Sequence, residues 1–417
     1  MINTTTLDNG ARIVTEVVDG VYSASIGVFI DVGSEDESES NNGVSHCLEH
    51  MLFKGTNTRT AEQISIEIED AGGSLGAATG KENTCFYGRT MGSELPVAID
   101  LLLDMLVNAN LTEDDLDLEK QVIVEEIKMY EDDPEDLAME TLLLKIWPGH
   151  PLSRPITGTE ETVLSLNSTI VKSHVEQFYT PEKIVVSISG LFNETIAIEA
   201  ISSRLRDLKP GTQKKIDKAP KLMSFTEVID KDVEQAHVTL ATNGMSITDD
   251  RRYQIAVLDI CLGGSVSSRL FQEVRERRGL VYTINTFRES HRVNGLMGVY
   301  AACSPKNVGQ VLDLVSTEIQ RVKSEGFSDR EIARAKTQLK SDLLLGLESM
   351  RSRSMRNAYG LLFYGSPLSI EGITEDIDRV SGDEVRQLAK ELFSTEEKGL
   401  VVVGPRSQLK PSYAVSF

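Results

Sequence analysis

In the stretch "GVSHCLEHMLFKGT", residues 43–56, His46, Glu49 and His50 fall within five positions of one another, in a chain with six histidines in all. Histidines four apart stand one above the other on a single face of a helix. Two imidazoles so placed can share one zinc ion at about 2.0–2.1 Å each. Glu49 projects beside them without being forced onto the metal. A carboxylate there can take a proton from water whose pKa the metal has lowered to about 7. The competing reading is a pair of helical histidines hydrogen-bonded to neighbouring backbone.

A hydrolytic zinc site needs three protein ligands and an open position, so a third ligand must come from elsewhere. The segment "DLDLEKQVIVEEIKMYEDD" offers Glu119, Glu125 and Glu126. Glu119 and Glu126 are two helical turns apart and share a face with Val122, Ile123 and Tyr130. An acidic pair on an apolar face is costly to bury unless a cation neutralises it. Glu125 points about 100° away and reads as a solvated charge. The pattern therefore assigns Glu126 as third ligand and Glu119 as the carboxylate behind it, orienting a ligand histidine.

These residues need a scaffold. "YSASIGVFIDV" alternates as a strand with one face buried, and "SLGAATGKENTCFYGRT" reads as a second, glycine-rich strand region. Between them the motif segment has helical apolar spacing and stops at Gly55. "TAEQISIEIEDAGG" is a helix with Thr60 as N-cap, Gln63 placed for a capping box and Gly72 past its end. Further helices are expected near 93–108 and 112–131, the second capped by Thr112. Strands interleaved with helices give mixed sheets covered by helices.

The middle of the chain, "RDLKPGTQKKIDKAPK" (206–221), is polar, basic and broken by Pro210, Gly211 and Pro220, as a linker would be. On either side, "QFYTPEKIVVSISG" (177–190) matches "ELFSTEEKGLVVVG" (391–404) at a shift of 214, and "NLTEDDLDLEK" (110–120) matches "GFSDREIARAK" (326–336) at 216. Two matches at nearly one offset indicate duplication. The expected fold is α+β, two homologous α/β sandwich halves: 1–208 with the metal motif, a linker at 209–222, and a related half at 223–417.

Composition limits the partners. The 43 basic against 64 acidic residues leave a formal charge of −21, which repels phosphate backbones and anionic lipid and argues against nucleic acid and membrane. No targeting segment and no membrane-spanning stretch is apparent. Cys47, Cys85, Cys261 and Cys303 lack paired spacing and read as free thiols of a reducing compartment, so a cytoplasmic location is expected. Cys47 reads as packing. His150, His174, His237 and His291 stand alone, without ligand spacing. The acidic run "SEDESESNN" (34–42) reads as a solvated loop.

"NNGVSHCLEHMLFKGT", followed by "LEKQVIVEEI" with Glu126 76 positions after His50, resembles the pitrilysin or insulinase-type metallopeptidases. These are the inverzincins, whose H-x-x-E-H order inverts the commoner zinc-protease motif. The likeness is greatest to the mitochondrial-processing-peptidase branch and its bacterial relatives, and "HPLSRPITGTEETV" (150–163) and "GGSVSSRLFQEVRERRGLVYTI" (263–284) extend it over almost the whole chain.

The resemblance implies one Zn2+ per chain on His46, His50 and Glu126, with Glu49 as general base. It implies that Arg275 and Tyr282, seven apart, hold substrate and oxyanion; the residues alone read as a solvated helix arginine and a strand packing tyrosine. It places peptide along the edge that carries Gly76, Ala77 and Ala78. Where relatives have asparagine and an aromatic, this chain has Gly76 and Ala78, which implies a wider pocket or weaker binding there. A chain of this length resembles one half of a clamshell, so the expected activity is zinc-dependent cleavage of unfolded peptides inside a closed homodimer. The alternatives are a non-catalytic scaffold, as in relatives that have lost the metal site, or a processing-peptidase-like subunit.

Overall fold

The computed structural model describes residues 2–211 and 218–414. The chain forms two compact units. The first comprises Met1–Lys128, Arg154–Ile216 and Leu345–Leu368; the second comprises Met129–Ser153, Asp217–Leu344 and Ser369–Phe417. Of the expected linker, residues 212–217 lie outside the described residues.

The first unit holds β1 (Ile2–Thr6), β2 (Arg12–Val17), β3 (Ser23–Ile30), β4 (Ser74–Thr79), β5 (Thr84–Met91) and β6 (Ile184–Gly190), in the order β1-β2-β6-β3-β5-β4. The second holds β7 (Phe225–Asp230), β8 (Ala236–Asn243), β9 (Val281–Ser290), β10 (Gly295–Cys303) and β11 (Gly399–Gly404), in the order β7-β11-β8-β10-β9. The pairs β2–β6 and β7–β11 are parallel and the other pairs antiparallel. Reading β2-β6-β3-β5-β4 against β7-β11-β8-β10-β9 gives one topology twice, so the halves are homologous mixed sheets. The sequence match of 177–190 with 391–404 ends on β6 and β11, which are equivalent strands. Both are buried along their whole length, as their Val- and Ile-rich runs require.

One face of the first sheet packs on α1 (Val44–Met51), α2 (Ala61–Asp70), α3 (Leu95–Asn108) and α4 (Glu113–Asp132), through Ile13, Ile26, Val28, Phe86 and Val186. The caps lie where the spacing put them. Thr60 Oγ1 accepts from the Gln63 N–H at 3.2 Å and Thr112 Oγ1 from the Asp115 N–H at 3.2 Å. The opposite face, with Val14, Phe29, Cys85 and Val185, is closed by Ala358, Leu361 and Leu362 of the helix Met350–Tyr364. That helix comes from the other half of the sequence. Conversely α5 (Pro134–Ile146) closes the second sheet, its Leu142 and Ile146 against Val401 and Val403. The compact units are thus not two contiguous stretches of chain; each sheet has two apolar faces, and the second is covered by a helix exchanged between the halves. Glu16, buried on β2, fastens Met350–Tyr364 by accepting from Arg353 Nη1 at 2.5 Å and Asn357 Nδ2 at 2.8 Å. The four cysteines are buried free thiols. No helix among the described residues is long and apolar enough to cross a membrane.

His174, on the helix Ser168–Phe178, is 3% exposed, with Nε2 3.3 Å from Ser45 Oγ of α1. Burial lowers its pKa from 6.5 to about 4, opposed by Asp36 and reinforced by Lys183. The unfolded chain therefore takes up a proton near pH 6.5 that the folded chain refuses until about pH 4. The contribution is intact above pH 6.5 and lost as pH falls through that window, reaching about 3 kcal/mol. Urea titrations at stepped pH should show His174→Gln losing less stability than the wild type between pH 6.5 and 4; parallel profiles would refute this.

Candidate metal centre

The centre starts from α1. Val44, Cys47, Leu48 and Met51 recur at helical spacing and are buried, each about 1.5–3 kcal/mol of anchoring. This leaves the His46–His50 flank turned toward α4. Gly43 opens the helix at φ 96°, where a Cβ would also sit 2.6 Å from the Thr157 carbonyl oxygen, so only glycine fits.

The acidic run before α1 departs from expectation. Glu35 and Glu37 are buried, and Glu37 accepts hydrogen bonds at 2.8 Å from the Gly43 N–H, the Ser45 N–H and Asn42 Nδ2. The first N–H groups of a helix have no partner within it, and here a carboxylate supplies one and meets the positive end of the dipole. Burial raises the Glu37 pKa, against the pull of those bonds. Glu37→Gln would turn an amide toward N–H donors and should lower stability by about 2–3 kcal/mol in urea unfolding. A change below about 0.5 kcal/mol would mean that water replaces the cap.

Across from α1, α4 brings Glu126. Its Oε2 lies 3.6 Å from His46 Nε2 and 3.7 Å from His50 Nε2, and these three ligand atoms lie within 4.8 Å of one another. The separations are too long for hydrogen bonds. They approach the roughly 3.3 Å between donors on one tetrahedral zinc with bonds of 2.0–2.1 Å. Burial, then the His50 charge, lowers the His46 pKa to about 4, so its imidazole is neutral with a lone pair to donate. Two nitrogens and one carboxylate oxygen are also the donor types zinc takes. The residues fit the ion.

Glu119 lies behind His50, its Oε2 3.0 Å from Nδ1, and its Oε1 receives Lys54 Nζ. Lys54 was not among the residues picked out by spacing, although it closes the motif stretch. Ile123 is buried beside Glu119, whereas Val122, one turn before Glu126, is 51% exposed and takes no part in the packed core. Glu125 is exposed and pairs with Lys128 at 2.8 Å.

Glu49 is not among the residues whose ligand atoms converge. Thr79 Oγ1, at the end of β4, donates to its Oε2. Burial raises the Glu49 pKa, opposed by the Thr79 bond and by His50. Thr79 also escaped the sequence reading; its signal is parity, since Leu75, Ala77 and Thr79 share the α1 side of β4 while Gly76 and Ala78 turn to the other.

β4 is an edge strand, as expected for Gly76, Ala77 and Ala78. The wider pocket expected at Gly76 is absent. A Cβ there would lie 2.8 Å from Cε2, Cζ and Oη of Tyr87, whose ring fills the space.

In the second unit, β9 is the equivalent edge and carries Tyr282, 71% exposed and so not a packing residue. Arg275, in the π-helical segment Phe271–Glu276, stacks with its guanidinium carbon 4.7 Å from the Phe271 ring centre and 5.6 Å from that of Tyr282. The arginine and tyrosine that the family resemblance singled out are thus neighbours.

Two helical imidazoles and a distal carboxylate on an α/β unit thus form a group that fits a zinc ion. Residues 12–160 match the family described as insulinase (peptidase family M16), and residues 165–339 match the peptidase M16 inactive domain. A Streptomyces coelicolor protein named an uncharacterized zinc protease is 37% identical over 412 residues, 97% of this chain and 90% of its own. A Bacillus subtilis protein of the same description, YmxG, is 35% identical over 413 residues, 98% of this chain and 100% of its own. The chain belongs to the M16 peptidase family. Its fold is shared with an M16 inactive-domain structure from Pseudomonas fluorescens, TM-score 0.90 at 19% identity, covering 98% of this chain and 100% of the other. A chain of Candida albicans complex III2 also shares it, with TM-score 0.84 at 22% identity, covering 97% and 96%.

Proposed function

We propose that this protein is a zinc-dependent endopeptidase that hydrolyses unfolded peptides, with one zinc ion per chain on His46, His50 and Glu126. One observation carries the reading: His46 Nε2, His50 Nε2 and Glu126 Oε2 converge at ion-sharing separations, with Glu49 close by and held by Thr79. Zinc, when bound, supplies Lewis acidity that polarises a carbonyl and lowers the pKa of water. Glu49 accepts a proton from the attacking water and returns it to the leaving amine. Glu119 fixes the His50 ring so that Nε2 faces the ion. The peptide adds as a strand along Gly76, Ala77 and Ala78 of β4, held by backbone hydrogen bonds that tolerate varied side chains.

By family resemblance, Arg275 and Tyr282 hold substrate and oxyanion, and two copies close around a chamber that admits unfolded chains and excludes folded ones. The proposed location is cytoplasmic. A scaffold without catalysis would have no use for the complete donor set, and it is disfavoured for that reason.

The purified protein should contain about one zinc per chain and cleave an unstructured peptide mixture. Chelation should stop cleavage, and added zinc should restore it. Cleavage undiminished in metal-free protein would overturn the reading.

A further inference from the structure

The side of β4 that turns away from α1 carries a feature that the metal chemistry does not use. Gly76 pairs across the hairpin with Tyr87 of β5, and the phenol end of that ring occupies the place of a Gly76 side chain. Over the same ring lies Arg351, the second residue of the helix Met350–Tyr364, its guanidinium carbon 3.7 Å from the ring centre. Arg351 is exposed and has no carboxylate within ion-pair distance among the described residues. Its neighbours on that helix differ. Arg353 and Arg356 both pair with buried Glu16, at 2.5 and 3.5 Å.

In a chain with 64 acidic residues, an exposed arginine held over an aromatic ring with no acid in ion-pair range among the described residues is a cation kept open. Stacking consumes the face of a guanidinium and leaves its N–H edge, which matches a carboxylate with two parallel hydrogen bonds. A strand added to the β4 edge alternates its side chains between the two sheet faces. Those on the Thr79 side fall toward Glu49. Those on the Gly76 side fall on Tyr87 and Arg351, with no β-carbon at position 76 in between. Gly76 is three residues from Thr79, about 10 Å along a strand.

We propose that Tyr87 and Arg351 form a subsite that selects an acidic side chain, aspartate or glutamate, in a peptide laid along β4. The subsite rests on the peptidase reading in that β4 receives the substrate. It gives a net-acidic protein one local preference for acidic peptides, opposite to what overall charge dictates.

The test uses zinc-loaded full-length protein and C-terminally amidated peptides with a single cleavage site, so that a side chain is the only carboxylate. One glutamate is moved position by position past the site, with glutamine and lysine controls. Wild type should favour glutamate over glutamine about tenfold in kcat/KM at one position and not at its immediate neighbours, whose side chains face the other way. Arg351→Gln should bring that ratio to about one, and Arg351→Glu should turn the preference to lysine. Ratios near one throughout in the wild type, or a ratio unchanged in Arg351→Gln, overturn the subsite and leave the peptidase reading standing. If no peptide is cleaved, the peptidase reading fails separately. Fluorescence anisotropy with the same peptides, labelled, then decides the subsite: tighter binding of the glutamate peptide that Arg351→Gln abolishes sustains it, and equal or absent binding overturns it.

Discussion

Glu49→Gln should lower kcat/KM on an unstructured peptide by about 10³-fold, within the 10²–10⁴ range of general acid–base catalysis, while zinc content stays at that of the wild type. Glutamine keeps the side chain's length and can still accept the Thr79 hydroxyl through its amide oxygen. It cannot take up a proton. The proposed zinc donors are His46, His50 and Glu126, so loss of the Glu49 carboxylate gives the ion no reason to leave. Metal analysis and steady-state kinetics on the same preparation separate the two effects. Equal loss of zinc and activity would make Glu49 a ligand, and wild-type turnover would remove it from the chemistry altogether.

Much of this centre was legible because it depends on local geometry. The four-residue spacing of His46 and His50 and the seven-residue spacing of Glu119 and Glu126 are fixed by helical periodicity, and both pairs meet as that periodicity implies. The duplication was legible for a related reason: β6 and β11 are buried on both faces, which restricts them to similar Val-rich runs. What escaped depends on contacts distant in sequence. Nothing local in "SEDESESNN" says that Glu37 will be folded under the helix it precedes, since a buried capping carboxylate and a solvated one have the same neighbours in the chain. The exchange of α5 and Met350–Tyr364 escaped too, because an amphipathic helix signals that a face will be covered without saying which sheet it will cover. At Gly76 a missing side chain suggested space, and only the cross-strand partner Tyr87 decides that the space is filled.

The duplication also bears on the proposed chemistry. The two edge strands, β4 and β9, occupy the same place in the repeated topology. β4 ends on Thr79 and so meets Glu49; β9 presents Tyr282 beside Arg275. One ancestral edge has thus been elaborated in two ways, and the metal motif is confined to the first. This accords with the inactive-domain description of the family that the second stretch matches.

Glu126→Gln should separate a metal ligand from a structural carboxylate. Glu126 Oε2 faces two imidazole nitrogens at 3.6 and 3.7 Å, beyond hydrogen-bond range, and no lysine or arginine pairs with it among the described residues. Its removal therefore breaks no bond of the metal-free fold, and metal-free variant and wild type should agree in stability to within about 0.5 kcal/mol. Zinc should divide them. Removing a partner behind the ligands costs 10–100-fold in affinity, so losing a ligand itself should cost on the order of 10³-fold. At free zinc about 1,000 times its dissociation constant, the wild type gains about 4 kcal/mol, which raises the midpoint of thermal unfolding by on the order of 10 °C. The variant at the same free zinc should gain less than about 1 kcal/mol and contain little metal after desalting. Calorimetry of both proteins, with and without zinc, measures all four states. A variant already destabilised without metal would make Glu126 part of the fold's own bonding, and one that kept the full zinc-induced shift would place the third ligand elsewhere.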